Sequence, residues 1–251
     1  MKNNDRFPML DIKNFPRAIC LLVSSVLLPA CTTATQTEIR ENDSVLEKFN
    51  KASYNLTEVA DQYVLKPVAK GYTRVLPDPV EDSFSRAFAN IREVGTAANE
   101  LLQGEFGQAC AATTRVVINS TLGILGLFDV AETIGVRKNE PEDFGQTLAV
   151  WGIKSGPYLF IPFMGPSTLR DAPSRVVDYF FDPVNYVESS RDQYLLTGWD
   201  VIQKRAQLLQ SEALVNGDRY LFLKDSYLQR REYLVNDGEL SEDMNEFDTD
   251  F

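Results

Sequence analysis

The hydrophobic positions of this 251-residue chain recur mostly at the spacing of an α-helix. One apolar helix face is formed by Ile202, Ala206, Leu209 and Ala213. The same period runs through residues 80–103, which end at Gly104, and through residues 106–119 and 220–238. We find no strand-like alternation of any length and no sequence repeat of domain-building length. The pattern therefore predicts an all-α fold with a single helical domain.

Polar residues mark the starts of several of these helices. The motif Ser44-x-x-Glu47 is a capping box that opens the first helix. Thr57 is placed to cap a second helix, which Pro67 ends. We therefore predict two short helices joined by a turn at Asn55 and Leu56. Further helix caps are expected at Ser167 and Asp200.

Two segments, residues 121–128 and 156–166, are apolar on every side. Both are too short to span a bilayer as a helix, which takes about 20 residues. Three prolines in the second segment argue against a continuous helix or a central strand there. Such runs usually form buried core in a soluble domain, whereas in a membrane-bound protein they face acyl chains. The sequence leaves both locations open.

The first 30 residues are built like a secretory signal. Lys2, Arg6, Lys13 and Arg17 precede an apolar core of 11 residues from Ala18 to Leu28. Small residues then lead to Cys31, in a pattern that resembles a bacterial lipoprotein signal. We predict a signal peptide over residues 1–30 and acylation of Cys31, which gives a stable membrane anchor. The alternative is an ordinary signal peptide followed by an incidental cysteine.

The residues after Cys31 predict the location and the domain boundaries. Thr32 resembles the second residue of lipoproteins sent to the outer membrane, so the chain is expected to face the periplasm of a Gram-negative bacterium. Residues 31–42 read as a lipidated tether and residues 43–236 as the helical domain. Residues 237–251 hold seven acidic and no basic side chains, which predicts a disordered tail.

The predicted helix pair around Asn55 and Leu56 directly follows this tether. An amphipathic element at that position is suited to lie in the membrane interface. Ordinary packing against the core is the other interpretation, and the sequence does not separate the two.

Composition narrows the possible partners. Residues 31–251 carry 21 basic and 34 acidic side chains, a net charge of −13. This balance argues against nucleic acid as a partner, because phosphates need a basic surface. It also disfavours attraction to anionic lipid head groups by charge. Any contact with a membrane should therefore be apolar.

The sequence does not support an enzyme. It contains no histidine, which removes Ser-His-Asp and Cys-His catalysis and the commonest metal ligand. The stretch Gly165-Pro166-Ser167-Thr168-Leu169 lacks the last glycine of a nucleophile elbow. We expect no catalytic residues, no metal and no cofactor. Cys110, left without a partner once Cys31 is acylated, is expected to be a small buried apolar residue.

Several motifs resemble the MlaA/VacJ family of outer-membrane lipoproteins. The strongest is Arg115-x-x-x-Asn119-Ser120-Thr121-x-Gly123-x-x-Gly126-x-x-Asp129-x-Ala131. Others are Leu46-Glu47-Lys48-Phe49-Asn50, Asp61-x-Tyr63-x-x-x-Pro67, Asn99-x-x-Leu102-Gln103-Gly104, Asp143-Phe144-Gly145-Gln146-Thr147-Leu148, Gly156-Pro157-Tyr158, Pro162-x-x-Gly165-Pro166-Ser167 and Arg170-Asp171. Together they cover nearly the whole segment from Asp43 to Gly238.

The resemblance implies a ring-like helical body embedded in the inner leaflet of the outer membrane, with an amphipathic channel and a trimeric porin as partner. It implies a protein that takes phospholipids out of the outer leaflet and passes them to a periplasmic phospholipid carrier. The alternative is a structural or adhesive outer-membrane lipoprotein. A lipase is a third possibility, which the missing histidine opposes.

A phospholipid path needs one polar and one apolar side, and one segment of the sequence offers both. We expect the lipid path to be lined by Asn119, Ser120, Thr121, Leu122, Gly123, Ile124, Leu125, Gly126, Leu127, Phe128 and Asp129. We expect the membrane-facing residues to be Phe160, Ile161, Phe163 and Met164.

Overall fold

The computed structural model describes residues 44–212 and 217–236, all within one compact unit. The predicted signal peptide, Cys31, the tether of residues 31–42 and the acidic tail of residues 237–251 lie outside the described residues. The helices are α1 Val45–Ala60, α2 Lys66–Val75, α3 Asp78–Gln103, α4 Phe106–Thr121, α5 Val130–Thr133, α6 Phe144–Val150, α7 Asp171–Phe181, α8 Ser190–Ser211 and α9 Arg219–Val235. A π-helix covers Asp61–Leu65, a 3₁₀ helix covers Pro183–Tyr186, and two strands are β1 Tyr158–Ile161 and β2 Gly165–Thr168. The predicted all-α class is confirmed, with one small hairpin added.

The first helix begins where its capping box predicts. The Glu47 backbone N–H donates to Ser44 Oγ at 3.0 Å. The predicted turn at Asn55 and Leu56 is wrong, because α1 continues through both residues and passes through the π-helix into α2. The wider π turn places Pro67 in the first turn of α2, where a missing N–H is tolerated.

A charged cluster fixes this π-helix against the C-terminal half of the body. Arg205 in α8 donates to both carboxylate oxygens of Asp61, at 2.7 and 2.8 Å. Glu212 accepts from Lys66 and Arg205. Burial alone would raise the pKa of Glu212, but these hydrogen bonds and one from Arg219 lower it to about 2. The irregular turn therefore coincides with a bidentate ion pair, the strong form of such contacts.

Helices α3 and α4 pack against each other more extensively than any other two described elements. Gly104 ends α3 in the left-handed region at φ 87°, the conformation a terminal glycine favours. Helix α4 then follows after Glu105, and both ends agree with the helical period of the sequence. Cys110 on α4 is exposed, so its predicted burial is wrong. The α4 positions that pack inward are instead Ala109 and Ala112.

The second apolar segment forms the hairpin β1–β2, which the sequence pattern does not predict. Asn50 in α1 hydrogen-bonds the edge of β1, donating to the Tyr158 carbonyl at 3.0 Å and accepting from the Phe160 N–H at 2.8 Å. The Phe160 N–H points to Asn50 and away from β2. Phe160 and its cross-strand partner Pro166 therefore form a non-hydrogen-bonded pair of the antiparallel ladder. Pro166 therefore removes no hydrogen bond between the two strands.

Two predicted helix caps are wrong, because the helices begin elsewhere. Ser167 lies within β2, and α7 begins behind Arg170, whose side chain makes no capping hydrogen bond. Thr168 Oγ1 accepts from the N–H of Asp171, the first residue of α7, at 3.1 Å. Asp200 lies in the middle of α8, which starts ten residues earlier behind Ser189. There Asp200 pairs with Arg92 in α3 at 2.7 Å.

Burial in this body is inverted relative to a soluble protein. Among the described residues, buried polar and charged side chains outnumber the buried apolar ones, and they include Glu100, Arg115, Gln146, Asp171 and Arg231. Large apolar side chains are exposed on α1, α2, α4, α7 and α8. In the described part of the chain, no helix combines the length and apolar character needed to cross a bilayer. Extended exposed apolar surface of this kind marks a contact with a membrane or another protein.

Candidate functional site

The segment predicted as a lipid path is built around a buried ionic network. Arg115 in α4 donates to Asp129 at 2.6 Å, and Asn119 donates to the other Asp129 oxygen at 3.0 Å. Asn119 also accepts from the Ala131 N–H at 2.9 Å. Burial would raise the pKa of Asp129, but its hydrogen bonds from the Glu132 amide, Asn119 and Arg115 lower it. The network holds Asp129 ionised and fixes both ends of the intervening turn.

The turn itself, residues 122–127, is a tight fold that two glycines permit. A Cβ at Gly126 would lie 2.6 Å from Asn90 Cβ in α3, and the residue has φ 89°. A Cβ at Gly123 would lie 2.2 Å from the Phe128 carbonyl oxygen. A side chain at Gly126 would therefore push the turn away from α3, and one at Gly123 would clash with the backbone of the turn and of α4.

The same turn carries its apolar side chains outward. Leu125 is 73% exposed, and Leu122, Ile124 and Phe128 are also exposed. Thr121 is exposed as well, whereas Ser120 and Leu127 are partly buried. The predicted lipid-path residues thus divide into a polar base, Asn119 and Asp129, and an apolar outer surface. This arrangement places an apolar turn at the surface instead of in the core.

The predicted membrane-facing residues divide in a similar way. Phe163 at the hairpin tip is 67% exposed and Met164 is exposed beside it. Ile161 is partly buried. The prediction for Phe160 is wrong: it is only 2% exposed, because it packs edge-on against Tyr54 within an aromatic cluster. Alternation along β1 sends Phe160 inward.

A cavity of about 800 Å³ lies between α3, α7 and the loop of residues 138–143. One face of each helix lines it, with side chains at helical intervals: Ser85, Ala89, Arg92, Glu93 and Thr96 from α3, and Arg175, Asp178 and Tyr179 from α7, with Asp182 directly after the end of α7. Apolar groups complete the wall, among them Phe181 and Leu234. The cavity is therefore amphipathic.

Sequence reasoning missed this cavity, although α7 carries a signal for it. Arg175, Asp178 and Asp182 recur at three and four residues, so a charged stripe runs along one face of α7 to its C-terminal cap, beside apolar neighbours. That stripe is usually interpreted as a solvated face. Only the folded chain shows that it faces α3, which lies about 80 positions earlier.

Some charged side chains of the cavity wall form ion pairs. Arg92 pairs with Asp200 at 2.7 Å and Asp143 with Arg231 at 2.6 Å. Arg175 differs, because it donates to the carbonyls of Met164 at 3.0 Å and Pro166 at 2.7 Å in the hairpin. Among the described residues, no carboxylate lies within ion-pair distance of Arg175.

Asp178 is the corresponding anion. It accepts from the Phe144 N–H at 2.8 Å and from Asn99 at 3.4 Å. Burial raises its pKa to about 6, although the Phe144 hydrogen bond acts in the opposite direction. Arg231 also lowers the pKa of Asp178 electrostatically, but within the described parts of the chain its ion-pair partners are Asp143 and Asp171, and no basic side chain forms an ion pair with Asp178.

A second, smaller cavity of about 30 Å³ is lined by residues of both the predicted lipid path and the larger cavity. It is lined by Asn119, Gly126 and Asp129 from the predicted lipid path. It shares Ala89, Glu93 and Lys138 with the larger cavity. The polar base of the apolar turn is therefore adjacent to the amphipathic cavity.

Comparisons with known proteins agree on one family. Residues 41–234 match the model of the MlaA lipoprotein family. The chain is 33% identical over 236 residues to the intermembrane phospholipid transport system lipoprotein MlaA of Escherichia coli (strain K12), covering 91% of this chain and 92% of that protein. The protein of the same name from Haemophilus influenzae is 29% identical over 228 residues, covering 88% and 91%.

Comparison with solved structures supports the same family. A solved structure described as the structural basis for maintenance of bacterial outer membrane lipid asymmetry superposes with a TM-score of 0.66 at 30% sequence identity. The match covers 76% of this chain and 98% of that one. Since sequence and fold agree over most of its length, this chain belongs to the MlaA lipoprotein family.

Proposed function

We propose that this protein is an outer-membrane lipoprotein of a phospholipid transport system. It removes phospholipids from the outer leaflet and so maintains the lipid asymmetry of the outer membrane. Membership of the MlaA family supports this role. The observation that carries it is the amphipathic cavity of about 800 Å³ inside a body with an apolar surface.

The cavity suits a lipid in transit because a phospholipid has a charged head and apolar tails. Charged side chains of α3 and α7 face the space where a head group would lie. Phe181, Leu234 and Ala89 supply apolar wall for acyl chains. Its volume lies within the roughly 300–1,000 Å³ of typical ligand pockets. We assign the polar base at Asn119 and Asp129 to one border of this path.

The apolar surface supports a body seated in one leaflet. Exposed side chains at the turn of residues 122–127 and at the hairpin tip are suited to contact acyl chains. Acylation of Cys31 would add a permanent anchor on the periplasmic side of the membrane. Thus the protein would lie in the inner leaflet of the outer membrane without crossing it.

The same proposal includes two protein partners and no chemical reaction. By resemblance to the family, a trimeric porin holds the body in place and a periplasmic carrier receives the lipid. We assign transfer of intact lipid rather than hydrolysis, because no histidine is present to activate a serine. A structural or adhesive role would leave the amphipathic cavity unexplained.

Filling the cavity tests the function. Ala89 lines both cavities, so Ala89→Trp should obstruct the path while the exposed surface stays unchanged. In cells that depend on this protein, we expect normal abundance of the variant and accumulation of phospholipid in the outer leaflet. Surface phospholipid is measured by labelling intact cells.

The control places the same bulky residue outside the cavity. Ala52 is exposed on α1, and Ala52→Trp should keep asymmetry normal. Normal asymmetry in an abundant Ala89→Trp variant would contradict the assignment of this cavity as the lipid path.

A further inference from the structure

Two opposite charges on the cavity face of α7 remain apart although their spacing favours a pair. Arg175 and Asp178 are three residues apart, so their Cβ atoms are about 5–6 Å from each other. Opposite charges at this spacing are close enough to form an ion pair on the helix surface. Here neither forms an ion pair among the described residues: Arg175 donates to backbone carbonyls, and Arg231, the basic group that acts on Asp178 electrostatically, pairs with Asp143 and Asp171.

Backbone groups hold the two charges apart. The carbonyls of Met164 and Pro166 fix the Arg175 guanidinium toward the hairpin. The Phe144 amide fixes the Asp178 carboxylate toward the start of α6. A guanidinium has five N–H donors, and these two carbonyls use only part of that capacity. Both side chains line the same cavity, so each charge remains available to a ligand.

The carboxylate end of this stripe is reinforced. Asp182 lies one helical turn beyond Asp178 on the same cavity wall, and its side chain caps the 3₁₀ helix by accepting from the Val184 N–H at 2.9 Å. The cavity wall formed by α7 and its C-terminal cap therefore presents one cation, Arg175, followed by two anions, Asp178 and Asp182. A charged group in a partly apolar cavity is costly unless a charge of opposite sign meets it. The wall thus calls for a ligand that carries both signs close together.

A zwitterionic phospholipid head group has this pattern, because a short ethanolamine link joins its phosphate to its ammonium. We propose that the cavity selects amino-phospholipids such as phosphatidylethanolamine over anionic phosphatidylglycerol. Arg175 holds the phosphate, which favours guanidinium donors. Asp178 and Asp182 hold the ammonium. This inference rests on the proposed function and names the lipid class that its path accepts.

The test measures which lipid the protein retains. The full-length protein, purified in detergent, is equilibrated with mixed micelles of equal phosphatidylethanolamine and phosphatidylglycerol with matched acyl chains. Free lipid is removed and bound lipid is quantified by mass spectrometry. We expect about tenfold enrichment of phosphatidylethanolamine, the scale of one hydrogen bond to a charged group.

Three variants assign the effect to residues. Asp178→Asn keeps an acceptor for the Phe144 amide but loses the charge, so bound lipid should shift toward phosphatidylglycerol. Arg175→Gln should reduce retention of both lipids, since both contain phosphate, and Arg175→Lys should restore part of it. Asp225→Asn, at an exposed position on α9, should leave the ratio unchanged.

The outcomes separate this proposal from the function on which it rests. Bound lipid at the input ratio in the unmodified protein would overturn head-group selection and leave the transport path intact. Enrichment of phosphatidylglycerol would show that the cationic groups dominate, and would also overturn it. Failure of the unmodified protein to retain either lipid would count against the proposed function itself.

Discussion

At the scale of single residues, the most consequential side chain of the interior is Glu100. It is fully buried in α3, where one carboxylate oxygen accepts from Asn139 at 2.7 Å. The other oxygen has no hydrogen-bond partner within the described chain. Burial raises the pKa of Glu100 to about 7. The folded state thus binds this proton more tightly than the unfolded state does.

The sign of the pH effect follows from that difference. Below the unfolded pKa of 4.5, Glu100 is protonated in both states and costs nothing. As the pH rises from there to about 7, only the unfolded chain ionises, so the folded state loses stability. We predict that Glu100→Gln raises the melting temperature by several degrees at pH 8 and much less at pH 4.5. Thermal unfolding at both pH values measures the difference.

The exposed Glu188 provides the control, because Glu188→Gln should shift neither melting curve. An equal change at both pH values for Glu100→Gln would mean that packing, and not ionisation, decides stability at this position. The proton on Glu100 would then have no part in it.

At the scale of elements, the apolar turn of residues 122–127 combines a rigid base with an exposed tip. Ile124 and Leu125 adopt left-handed backbone at φ 51° and 57°, where leucine is disfavoured. Aspartate tolerates this conformation better, so Leu125→Asp relieves backbone strain while it adds a charge. Its exposure also excludes a plain core role for Leu125. The substitution therefore tests membrane contact without a folding penalty.

We predict that Leu125→Asp keeps normal abundance but weakens binding to phospholipid vesicles. A charge at membrane depth costs about 2.5–3.5 kcal/mol, or roughly a hundredfold in partitioning. Vesicle flotation of a form without the acyl anchor measures this. Thr113→Asp adds the same charge on the exposed surface of α4.

Two results would count against the turn as a membrane contact. One is unchanged flotation of Leu125→Asp, which would place the tip outside the acyl region. The other is loss of the folded protein, which would mean that the turn supports the core after all.

The elements also show why some of the fold could be predicted from sequence and some could not. The Ser44 cap and the Gly104 terminus depend on neighbours within four residues, and both were predictable. The hairpin depends on Asn50, 108 positions before Tyr158. Likewise, the continuation of α1 past Asn55 depends on packing that local sequence does not encode. Local signals predict element ends, and distant contacts decide strands and cavities.

The candidate site was likewise predictable from sequence only where its residues are contiguous in the chain. The Asn119–Asp129 segment was recognisable because its motif is contiguous, although the outward direction of Leu125 was not. Phe160 was misplaced because an apolar run does not reveal which side of a strand is buried. The cavity needed α3 and α7 together, and nothing local links Arg175 to Ala89.

At the scale of the whole molecule, the body and its anchor are predicted to act together. Cys31 lies outside the described residues, and its acylation is still a prediction from sequence. We predict that Cys31→Ser abolishes incorporation of labelled palmitate, because serine offers no thiolate to alkylate. Cys110→Ser is the matched control and should retain the label, since Cys110 lies on the exposed side of α4. Label that persists in Cys31→Ser would place the lipid on another residue.

The inverted surface has a consequence for how the protein reaches its membrane. A folded body with Phe163, Leu125 and many other apolar side chains turned outward would self-associate in water. On the proposed location, the body would therefore need an escort to cover those side chains between synthesis and insertion. Release from that escort can proceed without an energy source, because moving the apolar surface into lipid is itself favourable. Burial of the apolar surface in lipid would thus drive insertion. Loss of the escort should appear as aggregated protein before any defect in lipid transport.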